Sequence, residues 1–174
     1  MMMWGIMILA GLVIFGSVYW LKPSARETRI AELRMLAIKK GIHVRHHKFE
    51  PDSAKTGVRD SITGTSYSWM RPGAKKPGDL LYSVVGQSAW DSEGLPEGLF
   101  WHQAPEISFT QESREQELQE QKAKIGKQLE RLLDGFEDEL FLLERYENRV
   151  LLMPGENKAA DIEKYFELLQ GFLD

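Results

Sequence analysis

Met1 to Leu21 form a run of 21 residues with no charged side chain and no proline. As a helix rising 1.5 Å per residue, about 20 such residues cross a hydrocarbon core of roughly 30 Å. Trp4 stands near one end, and Tyr19 with Trp20 near the other, where amphipathic rings favour the two membrane–water interfaces. The segment is therefore expected to be a transmembrane helix. Two other uses of an apolar run fit less well. A cleaved signal peptide carries basic residues ahead of a shorter core and small residues at its end, whereas here nothing basic precedes the run and Tyr19-Trp20-Leu21 closes it. A buried helix of a water-soluble domain is seldom apolar without interruption over this length. Gly5, Gly11 and Gly16 are spaced by six and five, so the run holds no Gly-x-x-x-Gly pair for close helix packing. With no ionisable group inside, it offers no proton or ion path of its own. It reads as an anchor.

Charge sets in abruptly after the run. Residues 22–48 hold eight Lys/Arg against two Glu, a net of +6, so residues 49–174 carry −10 of the overall −4. The positive-inside rule then places the C-terminal part in the cytoplasm and the N-terminus outside, a single-pass arrangement in an inner membrane. Lys22, Arg26, Arg29, Arg34, Lys39 and Lys40 are the candidate contacts to anionic lipid headgroups, which attract juxtamembrane cations at roughly 1 kcal/mol each. The same excess also follows from topology alone. The chain has no cysteine, which excludes disulfides, thiolate metal sites and cysteine nucleophiles.

The rest is long enough for one ordinary domain. Ser24-Ala25-Arg26-Glu27 fits a capping box, and Ile30, Leu33, Ala37 and Lys40 follow at helical spacing, with Met35, Leu36 and Ile38 widening the stripe. A helix over 25–40 is expected, stopped at Gly41. Ile42 to His46 alternates like a strand. Residues 50–64 are turn-rich and read as a loop. Thr65–Met70, Leu80–Val85 and Leu99–His102 read as strands. Leu118, Ile125, Leu129, Leu132 and Phe136 define an amphipathic helix over about 112–133, with Lys122 the exception on its apolar series. Leu140–Tyr146 and Val150–Met153 flank Glu147-Asn148 as a hairpin. A last helix carries Ala159, Ile162, Phe166, Leu169 and Leu173, with Asn157 as its expected cap. This order predicts an α+β fold with mainly antiparallel strands and about three helices behind the membrane helix. The divisions are 1–21, the basic helix and first strand over 22–48, and the remainder of the domain over 49–174.

Few residues suggest chemistry. His43, His46 and His47 lie close together, but a strand places His43 and His47 on one face with Arg45 between them and His46 on the other. A closed metal site needs three or four ligands, so this strand would need help from elsewhere, such as His102. A solvated or lipid-facing basic strand is the better account of the cluster. Gly86-Gln87-Ser88-Ala89-Trp90 approaches a nucleophile elbow, but Trp90 stands where the second glycine is required. No phosphate-binding loop of the Walker or dinucleotide type is present, and no cofactor is implied. The acidic domain opposes nucleic-acid binding. Residues 105–174 hold 17 Asp/Glu and nine Lys/Arg, so the helix over 112–133 is either a solvated face or a docking surface for a basic partner.

The membrane exit, an apolar run and then Leu21-Lys22-Pro23-Ser24 leading into a charged helix, resembles small single-span bacterial inner-membrane proteins such as the YajC subunit associated with the preprotein translocase. The resemblance covers roughly residues 1–35. It supplies no site residues; the absence of any convergent catalytic set favours an anchored, non-enzymatic accessory protein that docks a protein partner. Past that point this chain is longer and lacks the glycine-rich strand region of that family. The alternative is a ligand-binding module or enzyme whose site is assembled from Tyr67, Trp69, Trp90, Trp101 and His102.

Overall fold

The computed structural model describes residues 4, 5, 7, 11–13, 15, 16, 23–57, 61–86, 91–106, 114–158 and 160–173. Most of the expected membrane segment lies outside these residues, and among them no helix is long and apolar enough to cross a membrane. The chain divides into two compact units, 1–32 and 33–174.

Helix α1, Ala25–Lys39, opens with the expected capping box. The Ser24 amide donates to Glu27 Oε2 at 2.7 Å and the Glu27 amide to Ser24 Oγ at 3.2 Å, so two of the helix's orphan donors are satisfied reciprocally. These bonds hold the Glu27 carboxyl below its usual range. Gly41, at φ 82°, ends the helix where the chain turns left-handed. A side chain there would meet the Trp69 ring.

The second unit is α+β, as expected. Six strands form one antiparallel sheet in the order β1-β2-β6-β5-β3-β4. They are β1 His43–Phe49, β2 Ile62–Met70, β3 Leu80–Val85, β4 Phe100–Gln103, β5 Leu140–Tyr146 and β6 Arg149–Pro154. A single-turn helix α2, Ser53–Thr56, stands in the stretch expected to be loop; Asp52 caps it by accepting from the Ala54 amide. Two longer helices complete the unit, α3 Arg114–Leu133 and α4 Ile162–Gly171. The start expected for α3 at 112 lies outside the described residues. The cap of α4 is Asp161, which accepts from the Glu163 amide, and not Asn157 as expected. The Asn157 amide is instead bound to Asp138, four residues ahead of the true cap.

Strand alternation separates two apolar clusters. One face of the sheet contributes Tyr67, Tyr82, Val84, Leu143, Val150 and Leu152, packed with Leu33 and Ala37 of α1, Leu129 of α3 and Tyr165, Leu168 and Leu169 of α4. The other face contributes Phe49, Val85, Leu142, Leu151 and Met153, with Ile62, Phe100 and Phe141 against them. The sheet is strongly curled. Its two edge strands are β1 and β4, which a flat six-stranded sheet would hold about 24 Å apart. Yet the Phe49 ring of β1 lies edge-on to the His102 ring of β4 at 5.1 Å, and the Asp52 amide donates to His102 Nε2 at 3.3 Å. The two edges therefore meet at this end, and the second cluster fills the hollow between them.

One expectation for α1 is overturned. Met35, Leu36 and Ile38 do not widen its core stripe but are 59 %, 48 % and 61 % exposed. With 100° per residue, Leu33 and Ala37 point to the sheet while Met35 and Ile38 point the opposite way. The helix is apolar on both faces.

Candidate functional site

The six candidate headgroup contacts meet different fates. Lys22 lies outside the described residues. Arg26 and Lys39 are exposed and Arg29 is half-buried. Arg34 and Lys40 reach back to carboxylates far along the chain. Lys40 Nζ lies 2.6 Å from Glu163 Oε2 on α4 and over the Phe166 ring at 5.0 Å. Arg34 grips Glu156 with two donors, Nε to Oε1 at 2.9 Å and Nη2 to Oε2 at 2.5 Å.

Glu156 anchors a polar cluster that sequence reasoning did not find. It is the one non-glycine described residue with positive φ, at 51°, and it is buried. That backbone turn after Pro154-Gly155 directs its carboxylate inward. Besides Arg34 it accepts from Tyr67 Oη at 2.5 Å, and Thr65 Oγ1 lies 3.4 Å away. Burial pushes its carboxyl up, but the Arg34 and Tyr67 hydrogen bonds outweigh that and leave it below the usual carboxylate range. Arg34 is correspondingly raised. The Tyr67 ring then meets the Tyr165 ring edge-on at 5.0 Å, and the Tyr165 hydroxyl donates to Asp138. Asp138 Oδ1 also accepts from the Glu139 and Asn157 amides. Burial, followed by the carboxylate each one faces, raises both phenols far above their usual value. Both phenols therefore stay protonated near neutral pH. The cluster pins α1, β2, the turn after β6, the turn before β5 and α4 to one another. A surface cleft of about 190 Å³ beside Asp138 is lined by Gly135, Phe136, Asp161 and Lys164, but both Asp138 oxygens are already engaged.

Of the described residues of the alternative reading, Tyr67, Trp69 and Trp101 pack in or against the first apolar cluster. Tyr67 and Trp101 are buried in the core. Trp69 packs edge-on against Phe166 at 5.3 Å. Trp101 donates from Nε1 to the Glu93 carbonyl and meets Tyr82 at 5.9 Å. His102 sits at the sheet seam. Trp90 and the Ser88 elbow lie outside the described residues. His43, Arg45 and His47 share the face of β1 that is registered with Ser68, Ser66 and Gly64 of β2. Among the described residues, no group of three or more His, Asp or Glu side chains is placed to hold a metal ion.

On α3 the odd residue of the apolar series has a reason. Lys122 is buried, and its Nζ reaches Asp91 Oδ2 at 2.7 Å and Glu93 Oε2 at 3.3 Å. Burial opposes its charge, yet these carboxylates more than compensate and raise it. Its neighbours Glu117, Glu120, Lys124 and Glu130 face outward.

Protein-family models, curated proteins and solved structures offer no match to this chain.

Proposed function

We propose that this protein is a single-pass membrane accessory protein, with its N-terminus outside and its α+β domain at the cytoplasmic face, that docks a protein partner and carries no chemistry of its own. The observation that carries the reading is the charge sequence along the chain: 21 uncharged residues, then a belt of +6, then a domain of −10. The uncharged run suits a bilayer span, and the belt fixes its orientation. The exposed carboxylates Glu115, Glu117 and Glu120 on the first half of α3 suit a basic partner, whose approach they would steer. The layout over residues 1–35, similar to that of the translocase-associated YajC subunit, agrees with the reading.

Two measurements test it in cells. A reporter active only in the periplasm, fused after Asp174, should be silent. Photo-crosslinkers placed at Glu117, Glu120 and Lys124 of α3 should each trap the same protein, and one at Ser53 should not. An active reporter overturns the orientation. Crosslinks that do not depend on position overturn docking through α3.

A further inference from the structure

We infer that the outward face of α1 lies in the headgroup region of the anionic membrane that holds the chain, with Met35 and Ile38 inserted among the lipids and Lys39 on a lipid phosphate. The inference rests on the membrane-anchored reading and goes beyond it, because it gives the helix a second contact with the bilayer.

The argument begins with surface chemistry. Met35, Leu36 and Ile38 are the large apolar side chains exposed on this helix. Met35 and Ile38, one turn apart, lie together on the side facing away from Leu33 and Ala37, and Leu36 stands on the flank. A contiguous apolar patch on a charged helix marks a contact surface. Its occupant must accept both apolar groups and a cation. Arg34 and Lys40 are neutralised by Glu156 and Glu163, on the flank of the helix that faces the domain. Lys39 has no carboxylate partner among the described residues and is exposed beside Met35 and Leu36. Apolar residues beside an unneutralised cation suit the boundary between headgroups and acyl chains, where the exposed Glu32 one turn before Met35 would have to stay in water.

Chain geometry favours the same occupant. Only Lys22, Pro23 and Ser24 separate the uncharged run from the first residue of α1. Three extended residues span roughly 10 Å, so the helix starts at the membrane surface. A helix of 15 residues is about 22 Å long. If it rose along the membrane normal, Met35 and Ile38 would be carried into water. Lying flat, it puts them at the acyl boundary.

The absence of native cysteine makes the test clean. Single-cysteine variants M35C, I38C, K124C and F15C of the full chain are spin-labelled and reconstituted at one chain per nanodisc of phosphatidylcholine with phosphatidylglycerol. Collision rates with lipid-soluble oxygen and with a water-soluble nickel chelate report depth. Labels at Met35 and Ile38 should favour oxygen several-fold over the label at Lys124, which should favour nickel. Adding K39E to I38C should shift that label toward nickel, more in discs with phosphatidylglycerol than in discs without it. A label at Phe15 in lipid with labels at Met35 and Ile38 in water overturns this inference alone. A label at Phe15 in water overturns the anchored reading, and this inference with it. Spin–spin broadening at Ile38 in discs holding two chains, together with water exposure in discs holding one, assigns the patch to a second copy and overturns the inference.

Discussion

Arg34 shows how far a residue's role can depart from its place in the chain. It belongs by sequence to a basic belt, yet its guanidinium is held by a carboxylate 122 residues away. Removing one partner of a buried ion pair costs about 3–5 kcal/mol. Arg34 is 41 % exposed, so Arg34→Gln is expected to cost less, about 2 kcal/mol, read from urea unfolding. Glu156→Gln should show a pH signature. The folded carboxyl sits below the usual carboxylate range, so it adds stability that is fully present above that range and fades as pH falls toward the folded value. In the parent protein stability should therefore fall below about pH 4.5, and in Glu156→Gln that part of the slope should vanish. An unchanged slope would assign the acid sensitivity to other carboxylates. Arg145 makes the opposite case. Its Nη1 is buried with no hydrogen-bond partner among the described residues; burial lowers its affinity for a proton, and the nearby Arg71 adds to this. Replacing such a cation by an apolar side chain relieves desolvation. Arg145→Met is thus expected to leave the urea midpoint unchanged or raise it, and a fall of more than about 1 kcal/mol would show that the guanidinium has a stabilising role.

At the scale of elements, α3 depends on a close approach that only glycine allows. A Cβ on Gly126 would fall 1.6 Å from the Gly94 carbonyl oxygen, a backbone atom with nowhere to move. A Cβ on Gly64 would meet only the terminal methyl of Met153, at 2.8 Å, and methionine repacks readily. Gly126→Ala should therefore destabilise by 3 kcal/mol or more, roughly, and Gly64→Ala by about 1; comparable melting temperatures for the two would refute this reading of the helix–loop contact. The same elements show what the sequence discloses. Leu140–Tyr146 and Leu80–Val85 were legible to the residue because alternation and turn chemistry are local. The extra turn of helix at Ser53 was not, since four residues carry no periodicity. Asn157 and Asp161 are both sound caps by type, and what separates them is Asp138, nineteen residues back. The belt was legible as charge, but which of its cations are already neutralised depends on Glu156 and Glu163. Met35 and Ile38 have the same composition whether they face a core or a surface, so periodicity could not assign their side.

For the whole molecule, the boundary between units 1–32 and 33–174 matters most. Every residue of both apolar clusters lies at or beyond Leu33. A chain lacking residues 1–21 keeps both clusters and the α1 capping box. It is expected to be soluble and to unfold in a single cooperative transition, with urea and near-ultraviolet probes coinciding. A molten or aggregated product would mean that the missing segment completes the core.

The meeting of Phe49 and His102 across the sheet has a consequence for neighbours. Proteins tethered to one surface encounter their own kind far more often than they would in bulk, and an open strand edge invites pairing between them. In this chain each edge is turned toward the other, and the ring contact with the Asp52 bond sits over the seam. Loosening that contact, as in Phe49→Ala, is expected to uncover β1 and β4 for pairing with another chain.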